Sequence, residues 1–280
     1  MNRTLRKYFP LFLMPTFIAF LIGFVVPFAL GLYLSFCKFT TVSDAIPIGI
    51  RNYTQIFSDA TFIHSLWYTA LFTIAAVVSI NVIAFTIALL LTRQIRGTNI
   101  FRTVFFMPNL IGGIVLGYIW QLIFNGILLY FDRTLTYSAT YGFFGLLILL
   151  NWQQIGYMMI IYIAGIGNIP PDVIEAAKID GATNRQILFR VTIPMVMPSV
   201  TISVFLTLTN SFKLFDQNLA LTAGEPSSKS EMLALNIFNT FYGRTGAEGI
   251  GQAKAVIFFL IVAVIALLQL YLTRRKEVQA

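Results

Sequence analysis

Glu175-Ala176-Ala177-Lys178-Ile179-Asp180-Gly181-Ala182, followed by Ile193-Pro194 and Pro198, is a polar island in an apolar chain. Pro170 and Pro171 precede it, and proline neither continues a helix nor leaves its predecessor free to be helical. Asp172 then suits a helix start, where a carboxylate meets the positive end of the helix dipole. The spacing predicts a short helix over 173–180, ended by Gly181 in a left-handed turn. Thr183 with Gln186 three residues on forms a capping box for a second short helix through Arg190. Pro194 marks entry to the next apolar run. The result is an angled helix pair with small residues, Ala176, Ala177 and Ala182, around the bend, where a partner's backbone can come close. Glu175 and Asp180 can pair with basic groups or cap a partner's backbone. On shape alone, a plain amphipathic surface helix between two apolar spans fits equally well.

The surrounding chain is membrane-like. Of its 280 residues 58% are hydrophobic and 11% are charged, against about 25% charged in a soluble domain. Six windows without Asp, Glu, Lys, Arg or His are long enough to cross a bilayer, which takes about 20 residues. They place spans at 8–37, 65–92, 103–131, 141–167, 191–212 and 255–273, with a loop at 170–192. In lipid the backbone must satisfy its own hydrogen bonds, so the spans are read as helices. The first follows Arg3, Arg6 and Lys7 as a signal peptide would, but its apolar run is too long and no small-x-small cleavage site closes it. It is read as an uncleaved first helix.

Orientation comes from Lys and Arg. With the N-terminus inside, the inner segments hold twelve: Arg3, Arg6, Lys7, Arg93, Arg96, Arg102, Lys178, Arg185, Arg190, Arg274, Arg275 and Lys276. The outer segments hold seven: Lys38, Arg51, Arg133, Lys213, Lys229, Arg244 and Lys254. The expectation is one all-α integral membrane domain over 1–280, with six transmembrane helices, both termini cytoplasmic and the Glu175 loop on the cytoplasmic face. Pro108, Gly112, Gly113 and Gly117 in the third span suit a kinked, moving helix or routine close packing.

The formal charge of +8 is spread around the spans and forms no nucleic-acid patch. One Cys and one His exclude an internal disulfide and leave too few ligands for zinc. Cys37 reads as a helix-end residue and His64 as an interfacial one. No Gly-x-x-x-x-Gly-Lys-Ser/Thr loop exists to cradle ATP, no carboxylate pair lies inside a span to relay protons, and no catalytic Ser/His/Asp set has a credible context.

The island resembles the cytoplasmic EAA loop of type I binding-protein-dependent ABC importer permeases. Glu-Ala-Ala, then Asp-Gly-Ala, Phe189, Ile193-Pro194 and Pro198 stand at that family's spacing. Trp152 and Gly156-Tyr157 before the loop resemble its sugar permeases, and Phe101-Arg102-Thr103 with Met107-Pro108 resembles the family's third-helix entry. Ser211-Phe212-Lys213-Leu214-Phe215-Asp216, with Leu221-Thr222 and Gly224, resembles the carbohydrate-uptake branch that includes maltose and glycerol-phosphate permeases. Two departures stand out: Ile193 replaces a frequent Leu, and the link between Phe124 and Tyr141 is short.

The resemblance implies the type I permease fold and residence in the bacterial inner membrane. Coupling to an ATPase would run through Glu175, Ala176, Ala177, Asp180, Gly181 and Ala182. The implied partners are a second homologous permease, two copies of an ABC ATPase carrying the ATP and Mg, an extracytoplasmic substrate-binding protein and membrane lipid. No cofactor, metal or catalytic residue is expected on this chain.

A sugar needs hydroxyl-binding groups and an aromatic face. The fourth span offers Asn151, Trp152, Gln153, Gln154 and Tyr157, and the fifth Thr207, Asn210, Ser211 and Phe212. Gln153 and Tyr157 share a helix face, as do Thr207 and Ser211. The substrate-path set is Gln153, Gln154, Tyr157, Thr207, Asn210 and Ser211, with Gln154 standing where the subfamily has a small residue. The alternative for each is a helix-to-helix hydrogen bond. Lys213 and Asp216, three apart, are expected to pair with each other.

Overall fold

The computed structural model describes the backbone of residues 3–93 and 97–274, with side chains from residue 12 onward. Arg96, Arg275 and Lys276 of the charge count lie outside the described residues. The helices are α1 (Arg3–Phe20), α2 (Val26–Leu34), α3 (Arg51–Phe57), α4 (Ala60–Leu91), α5 (Thr98–Phe106), α6 (Gly113–Leu128) and α7 (Ala139–Gly167). There follow α8 (Pro171–Ile179), α9 (Asn184–Ile187), α10 (Ile193–Met195), α11 (Met197–Phe212), α12 (Asp216–Leu221), α13 (Leu233–Gly243) and α14 (Glu248–Arg274). Among the described residues the one sheet is a two-residue antiparallel ladder, β1 (Cys37–Lys38) with β2 (Ile46–Pro47).

Five helical stretches are long and apolar enough to span a bilayer: Phe12–Leu34, Ala60–Leu91, Gly113–Phe131, Ala139–Gly167 and Glu248–Arg274. The bent pair Asn184–Met195 and Met197–Phe212 makes a sixth if counted as one span. α4 has 32 residues, about 48 Å of helix against about 30 Å of hydrocarbon, so it extends beyond the apolar layer.

Two expected spans are not continuous helices. The third, expected over 103–131, ends as α5 at Phe106, passes through a 3-10 turn at Met107–Leu110, and restarts as α6. Ile111 and Gly112 between them are extended, with ψ of 132° and 143°. Pro108 lacks an N–H, and Gly112 pays little to leave the helical region. Where the sequence left a kink or close packing open, the span breaks, and Gly113 and Gly117 pack closely against neighbouring side chains. The fifth, expected over 191–212, bends by 68° at Val196. Pro194 and Pro198 stand four apart, so Pro198 has no N–H for the Pro194 carbonyl and its ring crowds that oxygen.

The chain divides into two compact units, Met1–Ala60 with Ile237–Leu260, and Thr61–Asn236 with Ile261–Ala280. In the second, α4 buries a stripe spaced four residues apart: Phe72, Ala76, Ile80, Ala84 and Ala88. It packs in one cluster with Leu146, Leu149, Leu150, Met158, Met159 and Tyr162 of α7. The three alanines admit close backbone approach, which matters in lipid, where packing and hydrogen bonds rather than water exclusion hold helices together. Gly156 of α7 goes further, since a Cβ there would stand 1.8 Å from the Phe105 carbonyl oxygen of α5.

In the first unit, the Asn52 amide on α3 donates to the carbonyls of Ser35 and Cys37, at 2.9 Å each. Cys37 is buried and free, and its thiol donates to the Tyr33 carbonyl. Lys254, counted in the sequence as an outer-segment charge, sits near the start of α14 and is fully buried. Its ammonium pairs with Asp59 at 2.7 Å and donates to Thr240 at 2.8 Å. A buried ammonium requires such an acceptor set, whereas a lysine in water does not.

Candidate functional site

The loop after α7 has the anticipated local geometry. Pro171 opens α8 and Asp172 lies in its first turn. The Gly181 N–H donates to the Lys178 carbonyl and the Ala182 N–H to the Ala177 carbonyl, both at 3.0 Å. With Gly181 at φ +78°, this is a Schellman ending. The Thr183–Gln186 capping box is present in both directions: the Gln186 side-chain Oε1 accepts the Thr183 N–H at 2.7 Å, and the Thr183 hydroxyl accepts the Gln186 N–H at 3.3 Å. The second helix runs past Arg190, its helical backbone continuing from Asn184 to Met195. α9 stops at Ile187 and continues as a wider π turn over Leu188–Thr192, which includes Arg190.

Glu175, Ala176, Asp180 and Gly181 are exposed, and Ala177 and Ala182 half-buried. Apolar side chains are exposed beside them. Ile179 is 85% and Phe189 58% open. Carboxylates, small residues and unsheltered Ile and Phe on a rigid helix–turn–helix form a surface suited to a protein partner.

The polar residues of α7 and α11 divide by environment. Gln154 accepts a hydrogen bond from the Asn210 amide at 3.3 Å, joining the two helices. Asn210 and Tyr157 remain half-buried, with Tyr157 packed near Phe106. Thr207 and Ser211 are fully enclosed. The Thr207 hydroxyl donates to the Ser203 carbonyl at 2.7 Å, and the Ser211 hydroxyl has no hydrogen-bond partner among the described residues. Gln153 is nearly buried and bonds the Ile111 carbonyl and the Gln217 amide. Asn151 donates to Ser79 and to the Leu147 carbonyl, and Trp152 is exposed with its ring edge against Trp120.

Lys213 and Asp216 form no ion pair among the described residues. Lys213 closes α11 and Asp216 opens α12, so the three-residue spacing does not run along one helix and the faces do not align. His64 bonds the Lys229 carbonyl at 3.0 Å.

Asn81 of α4 carries a polar hub that the sequence reading did not single out. Its Oδ1 accepts from Tyr162 at 2.6 Å and Ser203 at 2.7 Å, while its amide donates to the Val77 carbonyl at 2.7 Å and to Thr207 at 3.4 Å. One amide thus joins α4, α7 and α11. The available signal was a lone amide within an apolar span, which needs partners in lipid. Asn218 of α12, fully buried, likewise accepts the Met232 N–H and donates to the Ser230 carbonyl, at 2.9 Å each.

Known proteins are similar to this chain in sequence and in fold. A family described as "Binding-protein-dependent transport system inner membrane component" matches residues 87–278. The probable starch degradation products transport system permease protein AmyD of Thermoanaerobacterium thermosulfurigenes is 45% identical, across 96% of this chain and 94% of that protein. The multiple sugar-binding transport system permease protein MsmF of Streptococcus mutans is 28% identical across 99% of each. In a solved bacterial ABC transporter involved in import of the acidic polysaccharide alginate, one chain superposes with a TM-score of 0.82 over 98% of each chain, at 20% identity. The chain belongs to the family of binding-protein-dependent transport system inner membrane components, and is a multi-pass transport component rather than an enzyme.

Proposed function

We propose that this chain is one of the permease subunits in an ATP-driven carbohydrate importer, most simply one for oligosaccharides, in the bacterial inner membrane. The observation that carries the reading is the exposed α8–α9 pair, with its Schellman ending, capping box and unsheltered Ile179 and Phe189. It is the surface an ATPase would grip, through Glu175, Ala176, Ala177, Asp180, Gly181 and Ala182. The Lys and Arg bias puts this loop and both termini in the cytoplasm. The relatives named for starch products and multiple sugars support a carbohydrate cargo.

The assembly comprises this chain, a second homologous permease, two ATPase copies carrying ATP and Mg, and an extracytoplasmic binding protein. ATP draws the ATPases together, the α8–α9 loops follow, and the spans turn outward to receive sugar. Within the path set, the half-buried Tyr157 and Asn210 face the sugar with Gln154 steadying Asn210. Gln153, Thr207 and Ser211 stand behind them and shape the wall.

The test is co-purification of the tagged chain in mild detergent, followed by reconstitution and uptake of labelled malto-oligosaccharides. Recovery of a second permease and two ATPases, with ATP-dependent uptake, is expected. Uptake of amino acids or phosphate and of no carbohydrate would overturn the cargo, and transport by the chain alone without ATP would overturn its place in an ATP-driven assembly.

A further inference from the structure

The break between α5 and α6 frees a carbonyl that no helix can use. Ile111 is extended, and α6 takes its first turn from the Gly112 carbonyl, which accepts the Leu116 N–H at 3.0 Å. A free carbonyl within a span must find a partner inside the protein. Gln153 of α7 supplies it, donating to the Ile111 oxygen at 3.3 Å. The same amide accepts, through Oε1, a hydrogen bond from the Gln217 amide of α12 at 2.8 Å. Its side chain is only 7% exposed, so water competes little for either bond.

α12 is clamped to the break as well. A Cβ on Gly113 would stand 2.7 Å from the Asp216 Cβ, and one on Gly117 2.6 Å from the Ala220 Cβ. The Gln121 amide of α6 donates to the Leu221 carbonyl at 3.2 Å. α6 and α12 therefore form one packed pair, and Gln153 is the polar side chain that ties both the break and α12 to α7.

α7 ends at Gly167, four residues before the first residue of α8. We propose that Gln153 is a positioning residue. By holding the Ile111 carbonyl and Gln217 together, it makes the broken third span and α12 follow α7 when the α8–α9 loop moves, and it does not bind the sugar. This rests on reading α8–α9 as the ATPase-coupling surface. The chemistry demands a side chain that donates and accepts at once at this reach, as glutamine does. Leucine does neither, and an ionised glutamate keeps only the acceptor.

The experiment uses the full transporter in proteoliposomes with wild type, Gln153→Leu, Gln217→Leu, the double variant and Gln153→Glu. Maximal uptake, half-saturating sugar and sugar moved per ATP are read for each. Gln217→Leu, which removes one of the two bonds, should lower maximal uptake roughly tenfold, about what one lost hydrogen bond allows, and Gln153→Leu, which removes both, should lower it further, with half-saturation unchanged in each. Sugar per ATP should fall, and the double should be no worse than the poorer single. Gln153→Glu, which keeps the Gln217 bond, should fall between wild type and Gln153→Leu. Additive losses, or raised half-saturation with maximal uptake intact, would overturn the proposal, as would lower yield with sugar per ATP unchanged. A wild-type complex whose uptake ignores ATP would instead overturn the coupling reading beneath it.

Discussion

The α8–α9 loop and the α5–α6 break both interrupt long apolar helices at proline and glycine, yet their bonding differs. In the loop every stabilising bond is local, with Ala182 to Ala177, Gly181 to Lys178 and Thr183 to Gln186 spanning five residues or fewer. At the break the key bonds cross 42 residues, from Ile111 to Gln153, and 64 more, from Gln153 to Gln217. A water-facing turn can satisfy itself and present its outer surface to a partner. A break within a span has no water to lean on and must recruit neighbouring helices. On the proposed reading, the first serves as the docking element and the second as an internal joint.

The largest effect that would sharpen this contrast is expected from Gly181→Pro. Proline holds φ near −65°, the glycine sits at +78°, and the Gly181 N–H is used by Lys178. A mismatch of about 3 kcal/mol should lower ATP-driven uptake by about two orders of magnitude, while the variant still inserts and yields normal amounts of folded chain. Glu175→Lys should act in the same direction by reversing the charge of an exposed carboxylate. Normal uptake by both would break the docking half of the comparison.

Gly156→Leu attacks the joint. Its Cβ would enter the Phe105 carbonyl, forcing α5 from α7 at a cost of about 3 kcal/mol. Thermal unfolding in detergent should show a clear loss of stability, and an unchanged midpoint would mean that the α5–α7 contact is slack.

A smaller loss, about 1–2 kcal/mol, is expected for Asn81→Leu. It leaves the Tyr162 and Ser203 hydroxyls without their shared acceptor. Tyr162→Phe combined with Asn81→Leu should cost less than the sum of the two, which a double-variant melting cycle measures.

The smallest effect is Thr183→Ala, about 1 kcal/mol from loss of the capping box. Faster hydrogen exchange confined to α9 would confirm that the loop stabilises itself. Exchange spreading into α7 or α11 would show that it does not.

The polar island was legible because helix starts, left-handed glycine endings and capping boxes are decided within a few residues. Apolar length likewise marked the spans, because lipid penalises any exposed backbone. Several other features were not legible. The pairing of Lys213 with Asp216 failed because a helix end falls between them. Lys254 was counted only as an outer-segment charge, and its burial beside Asp59, 195 residues away, is not visible in the sequence. Pro108 and Gly112 signalled irregularity, but a kink and a full break need the same residues, and the partner carbonyl and amides decide between them. The Asn81 hub and the Gln153 tie depend on which helices lie side by side.

Sequence alone therefore marks a helical membrane chain with several long apolar stretches and a helix–glycine–helix surface between two of them. Those properties follow from local torsional preferences and from the cost of unpaired backbone in lipid. Only the tertiary structure decided which polar side chains face an open surface and which are consumed inside the packing. A hydrogen-bonding side chain in a span takes whichever partner the neighbouring helices bring within about 3 Å, and that choice is made by packing across the whole unit.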